Sequence, residues 1–138
     1  MKRKGFTLVE LLGVIVLLGL IALIVYPTVG GMLNKSKEGT LTNTGRGIIK
    51  TFKQLYVPYV GKEMQYNFNT EEFIIAGNVT DEKFHTKGEL PEGGYIMANS
   101  DGKIAMYVYK DGYCIYKATT DRDVLLRKIG NDPSLCTE

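Results

Sequence analysis

Phe6–Val25 is a run of 20 residues interrupted by a single charge, Glu10. As a helix it spans about 30 Å at about 1.5 Å per residue, the thickness of a bilayer core. Beyond Asn34 the chain turns into ordinary water-soluble sequence. Ile48, Phe52, Leu55, Tyr56 and Tyr59 recur at helical spacing and predict an amphipathic helix with one apolar face. Pro58 predicts its end, because the residue before a proline avoids the helical region. Gly39, Gly45 and Gly47 argue against continuity, each costing about 1 kcal/mol relative to alanine. Asn69 or Thr70 is placed to cap a short helix through Glu71–Ile75, stopped at Gly77. Residues 78–92, with Gly88 and Pro91, read as loop.

From Gly94 the period changes to two. Gly94–Ala98, Lys103–Tyr109 and Tyr113–Ala118 predict strands, joined by the turn sequences Asn99–Gly102 and Lys110–Gly112. Alternation sends Ile104, Met106 and Val108 to one face and Ala105, Tyr107 and Tyr109 to the other. The expected fold is α+β: a long N-terminal helix packed on a small antiparallel sheet of about three strands. One sheet face meets the helix. The other, rich in tyrosine (Tyr95, Tyr107, Tyr109, Tyr113, Tyr116), is expected to be half exposed, either through strand propensity alone or as a contact surface.

Charge changes the picture at the N-terminus. The 138 residues hold 17 Lys+Arg against 15 Asp+Glu, a formal net of +2, too balanced for a polybasic nucleic-acid module. Lys2, Arg3 and Lys4 stand directly before the apolar run. Such a cluster stays cytoplasmic and puts the C-terminal part outside. A secretory signal shares the basic start, but this apolar run exceeds the usual 7–15 residues and no A-x-A site follows it. A plain single-pass anchor leaves Glu10 unexplained. A carboxylate at mid-membrane costs about 2.5–3.5 kcal/mol, less near an interface. Thr7-Leu8-Val9-Glu10 fits the S/T-x-x-E capping box, which would satisfy it locally. The other reading makes Glu10 half of an ion pair with a free amine at the start of a neighbouring copy. That requires cleavage just before the apolar run.

Lys4-Gly5-Phe6-Thr7-Leu8-Val9-Glu10 followed by the apolar helix resembles the class III signal of type IV pilins and pseudopilins. Gly19 and Pro27 fall where many members carry a glycine and a helix-kinking proline. The close resemblance covers about Lys4–Thr28, a fifth of the chain. It implies that a prepilin peptidase cuts between Gly5 and Phe6 on the cytoplasmic face and N-methylates Phe6. It also implies one long helix that bridges Gly39–Gly47. The organisation expected is a leader at 1–5, a membrane and assembly helix at 6–27 and an extracytoplasmic pilin-like domain at 28–138. The implied function is a structural subunit of a type IV pilus or pilus-like filament. The alternative is a pseudopilin of a secretion or DNA-uptake system, and a non-polymerising anchored binding domain is the reading from another class. Implied partners are other copies and related pilins, the peptidase, the membrane and its assembly platform. Glu10, Gly13, Gly19 and Pro27 are the assembly candidates, the glycines because small residues let membrane helices approach closely. Losing the leader leaves 14 basic against 15 acidic side chains.

Cys114 and Cys136 are the only cysteines. Outside the membrane a disulfide is permitted, and one here would stabilise by about 3.4 kcal/mol on a loop-entropy account. A buried thiol at Cys114 with a free one at Cys136 is the other possibility. Many type IV pilins have a disulfide-bonded C-terminal region, so the resemblance implies the bridge. Arg46, Lys50 and Lys53 form a basic stripe at helical spacing, either a solvated face or a phosphate contact. Asp121, Asp123 and Asp132 offer oxygens to Ca²⁺ at a spacing that is not diagnostic. His85 is the only histidine and lies in a polar stretch, so no His-based metal site exists. No nucleophile elbow surrounds Ser36, Ser100 or Ser134, and no Walker loop is present. No enzymatic activity and no cofactor are expected.

Overall fold

The computed structural model describes residues 5–138. Lys2, Arg3 and Lys4, the basic part of the expected leader, lie outside the described residues. The chain divides into two compact units, Met1–Lys37 and Glu38–Glu138.

The first helix, α1, runs Leu8–Tyr56 without interruption and contains Pro27. The bridging of Gly39, Gly45 and Gly47 is therefore met. A short 3₁₀ turn, Val57–Tyr59, follows, with Pro58 inside it. In the first unit every described side chain is exposed, including Leu8, Leu12, Ile15, Leu18 and Leu23. The segment is long and apolar enough to cross a membrane.

The second unit is a seven-stranded antiparallel sheet in the order β3-β2-β1-β4-β5-β6-β7. The strands are β1 Met64–Asn67, β2 Glu72–Ile75, β3 Asn78–Thr80, β4 Gly93–Ala98, β5 Ile104–Lys110, β6 Tyr113–Lys117 and β7 Leu125–Lys128. Strands β4, β5 and β6 match the three expected strands to within a residue at each end. The sheet is larger than the three strands expected, and two local assignments are corrected. Residues Glu72–Ile75 form a strand rather than a short helix, because Phe73 and Ile75 pair with Tyr66 and Met64 and point into the core. Within the expected loop 78–92, Asn78–Thr80 pairs with β2.

One sheet face carries Met64, Tyr66, Phe73, Ile96, Ala98, Ile104, Met106, Val108 and Ile115. Against it lie Leu41, Ile48, Ile49, Phe52 and Tyr56 of α1, all in one buried cluster. Phe84 joins them, with its ring centroid 5.3 Å from that of Tyr66. Gly45 is where α1 comes closest to the sheet. A Cβ there would stand 2.6 Å from Ile115 Cγ2 and 2.9 Å from Val124 Cγ1. Its neighbour Gly47 has open space around it.

The opposite face is less exposed than the alternation suggests. Ala105 and Tyr107 are buried together with Cys114, Ile129 and Cys136, with Tyr95, Tyr109 and Tyr116 packed at the margin. The cover is the C-terminal tail, held to β6 by a Cys114–Cys136 disulfide. Burial raises the hydroxyl pKa of Tyr95 and Tyr107, and the Glu138 carboxylate adds to both shifts. Tyr113 alternates to the helix-facing side, where it packs on the main core.

The two helical glycines respond oppositely to a methyl group. Gly45→Ala is expected to destabilise the second unit by about 1–3 kcal/mol through overpacking. Gly47→Ala is expected to stabilise it by about 0.5–1 kcal/mol through helix propensity. Thermal unfolding followed by the tyrosine near-ultraviolet circular dichroism checks both signs.

Candidate processing and assembly site

At the start of α1 the sequence Thr7–Glu10 does what its spacing allows. The Thr7 N–H donates to Glu10 Oε2 at 3.0 Å, and the Glu10 N–H donates to Thr7 Oγ1 at 3.2 Å. The first helical backbone bond runs from Leu11 N–H to the Thr7 carbonyl at 3.1 Å. This is a complete capping box, in which each side chain satisfies an amide that the helix cannot. A carboxylate is also favoured here by the positive end of the helix dipole. Gly5 and Phe6 precede the first helical turn, and the Phe6 side chain is 91% exposed. The Gly5–Phe6 junction is therefore non-helical chain next to an ordered helix start.

The other candidates share the helix but not one face. At about 100° per residue, Gly13 sits one turn beyond Glu10 on nearly the same side. Gly19 lies about 180° around from Glu10 and about 120° from Gly13. Neither glycine has another group within 4 Å of where a Cβ would be. The two therefore lie on different sides of the helix and do not form one stripe. Pro27 sits inside the helix, where it has no N–H to give to the carbonyl one turn earlier. The next residue, Thr28, donates its hydroxyl to the Ile24 carbonyl at 3.3 Å, a back-bond that often accompanies bending.

Elsewhere the sequence candidates divide. The basic stripe is not uniform. Arg46 makes a two-pronged pair with Asp123, Nε to Oδ1 at 3.0 Å and Nη2 to Oδ2 at 2.6 Å. The two residues are 77 apart in the chain, so no local pattern reveals the pair. Lys50 and Lys53 stay in the stripe. The three aspartates considered for a cation are engaged separately. Asp121 accepts from the Ala118 N–H at 2.9 Å. Asp123 takes Arg46, and Asp132 caps the 3₁₀ turn Pro133–Leu135. Among the described residues no three His, Cys, Asp or Glu side chains are grouped to hold a metal.

Residues 1–26 match the family model described as the prokaryotic N-terminal methylation motif. No curated protein and no solved structure matches the chain. The motif match supports the type IV pilin and pseudopilin family as the origin of this N-terminal segment. The matched range includes the Gly5–Phe6 junction, Glu10 and the apolar stretch as far as Tyr26.

The Arg46 side chain, through its hydrogen bonds, and the Val124 amide hold the Asp123 carboxyl down at about 2, below its ordinary 3.8. A carboxyl depressed in the folded state contributes stability that is present above its ordinary pKa. That contribution disappears as the pH falls through about 2. The pair is exposed, so the effect is small and weakens with salt. The melting-temperature difference between the native chain and Asp123→Asn is therefore expected to shrink steadily between pH 4 and pH 2. Thermal unfolding at low ionic strength measures it.

Proposed function

We propose that this protein is a non-catalytic structural subunit of a type IV pilus or pilus-like filament. It is inserted in the membrane, cut by a prepilin peptidase between Gly5 and Phe6, and assembled through the front of α1. The observation that carries this is Glu10, the one carboxylate of the apolar run Phe6–Val25, held in a capping box within residues 1–26, which match the methylation motif.

The chemistry runs in two stages. In the bilayer the apolar side chains hold the subunit, at about 0.8 kcal/mol per buried CH₂. Glu10 is satisfied there by the Thr7 amide, which keeps the carboxylate hydrogen-bonded near the headgroups. Cleavage turns Phe6 into a free amine two residues before the helix proper. In the filament, apolar helices of neighbouring copies replace lipid, and a neighbour's Phe6 amine replaces Thr7 as the partner of Glu10. Both charges leave water, so the net gain depends on geometry, and the pair acts mainly as a register lock. Gly13, one turn beyond Glu10, lets a neighbouring helix come close at the same level. Gly19 does the same on another side, and Pro27 loosens the helix further along. The second unit, Glu38–Glu138, is the part displayed outside the membrane.

Glu10→Ala tests this reading. The account expects normal cleavage, with a mature start at Phe6, and filament yield reduced at least tenfold in sheared fractions. Glu10→Gln keeps the cap acceptor but not the charge and is expected to assemble as poorly as Glu10→Ala. Normal filament yield from either variant would refute the ion-pair step.

A further inference from the structure

Within the second unit, α1 and residues 85–89 border an open groove of about 570 Å³. Asn43, Gly47, Lys50, Thr51 and Gln54 form one wall, and His85–Glu89 forms the other. The second wall is tied down at both ends. Phe84 is buried among Tyr66, Phe68 and Phe73. Lys110 pairs with Glu89 at 3.1 Å and donates to the Leu90 carbonyl at 3.3 Å. The second wall is thus anchored at Phe84 on one side and at Glu89 and Leu90 on the other.

Its electrostatics are one-sided. Glu89 is the only acidic side chain in the lining, and Lys110 neutralises it. Lys50 and Lys87 line the groove, and among the described residues neither has a carboxylate within ion-pair distance. Around them stand hydroxyls and amides, from Thr51, Asn43 and Gln54, that both donate and accept. No Phe, Tyr or Trp lines the groove and the His85 imidazole is its one ring, so it offers no broad platform for stacking a base or the flat face of a sugar.

Gly47 is the telling position. A glycine in mid-helix costs about 1 kcal/mol. Gly45, two residues away, is required by the close approach of Ile115 and Val124, but nothing lies within 4 Å of a Cβ at Gly47. Packing gives no reason for that glycine. What its missing side chain leaves open is the groove itself.

We propose that this groove binds a polyol phosphate, a phosphate ester carried on a hydroxyl-rich, non-aromatic chain. Lys50 and Lys87 supply the point charges for the phosphate. Thr51, Asn43 and Gln54 pair with the hydroxyls, and the bare backbone at Gly47 admits the chain. A volume of about 570 Å³ falls in the range of ligand pockets, about 300–1,000 Å³, and exceeds what a lone phosphate fills. The site stands independently of filament assembly, since it uses none of Gly5–Pro27.

The test is calorimetric titration of the full chain, in uncharged detergent micelles, with poly(glycerol phosphate) oligomers. Binding that weakens as salt rises is expected. Lys50→Gln with Lys87→Gln is expected to weaken it at least tenfold. Gly47→Leu is expected to abolish it without lowering the melting temperature, because leucine is a good helix former and the space is open. Tighter binding of the oligomer than of monomeric glycerol phosphate assigns a polymeric source, and equal binding per phosphate a soluble one; both support the site. No binding by the native chain, or unchanged binding by Gly47→Leu, overturns it. Equal affinity for inorganic phosphate, or for duplex DNA of the same phosphate count, overturns the polyol assignment.

Discussion

A carboxylate on a helix whose surrounding side chains are all apolar must find hydrogen bonds or an opposite charge, because neither lipid nor a packed helix supplies them. Glu10 finds them in the chain itself, from the Thr7 amide at 3.0 Å. That bond is local, needs no partner subunit and sits at the helix end where a negative charge is favoured. It also leaves the carboxylate exposed and exchangeable. Under the proposed function the same group that caps the helix becomes available to a neighbour's amine, so that the capping box and an intersubunit pair would be successive partners of one carboxylate.

The second unit solves a different problem. Its sheet has two apolar faces, and each is covered by a separate stretch of chain. Leu41, Ile48, Ile49, Phe52 and Tyr56 of α1 close one face. The tail carrying Ile129 and Cys136, linked to Cys114, closes the other over Ala105 and Tyr107. Gly45 sets how near α1 comes to the sheet, and the Arg46–Asp123 pair joins the next residue of the helix to the β6–β7 connection. A glycine with a packing reason and one without stand two positions apart. That contrast turns Gly47 from a helix defect into the opening of a polar groove.

Legibility from sequence followed the range of the interactions. The capping box was readable because it spans four residues, and the central strands because β4, β5 and β6 alternate cleanly between turn signals. Continuity of α1 across Gly39–Gly47 was not decided by propensity. The family resemblance favoured it, and the burial of Ile48 and Phe52 explains it. The outer strands were missed for physical reasons. Glu72–Ile75 reads helically because three apolar residues, Phe73, Ile74 and Ile75, are adjacent rather than alternating, and only pairing with β1 makes it extended. Leu125–Lys128 has no alternation and is fixed by β6. The tyrosine-rich face looked half open because nothing in its strands shows that the tail folds over it. Arg46 looked like part of a cationic stripe because Asp123 is 77 residues distant. Within the candidate assembly site, the Thr7–Glu10 cap was legible as a spacing, and helical pitch alone puts Gly13 and Gly19 on different sides.

The central claim is that the working subunit begins at Phe6 and polymerises through the helix behind it. Intact-mass and N-terminal analysis of the protein from native membranes and from sheared surface material tests this most directly. The account predicts a chain lacking Met1–Gly5, with a methylated Phe6 amine, abundant in the sheared fraction. The same start confined to membranes would place the subunit in a short pseudopilin filament instead. A chain retaining Met1, or one cut beyond Pro27, would contradict the account.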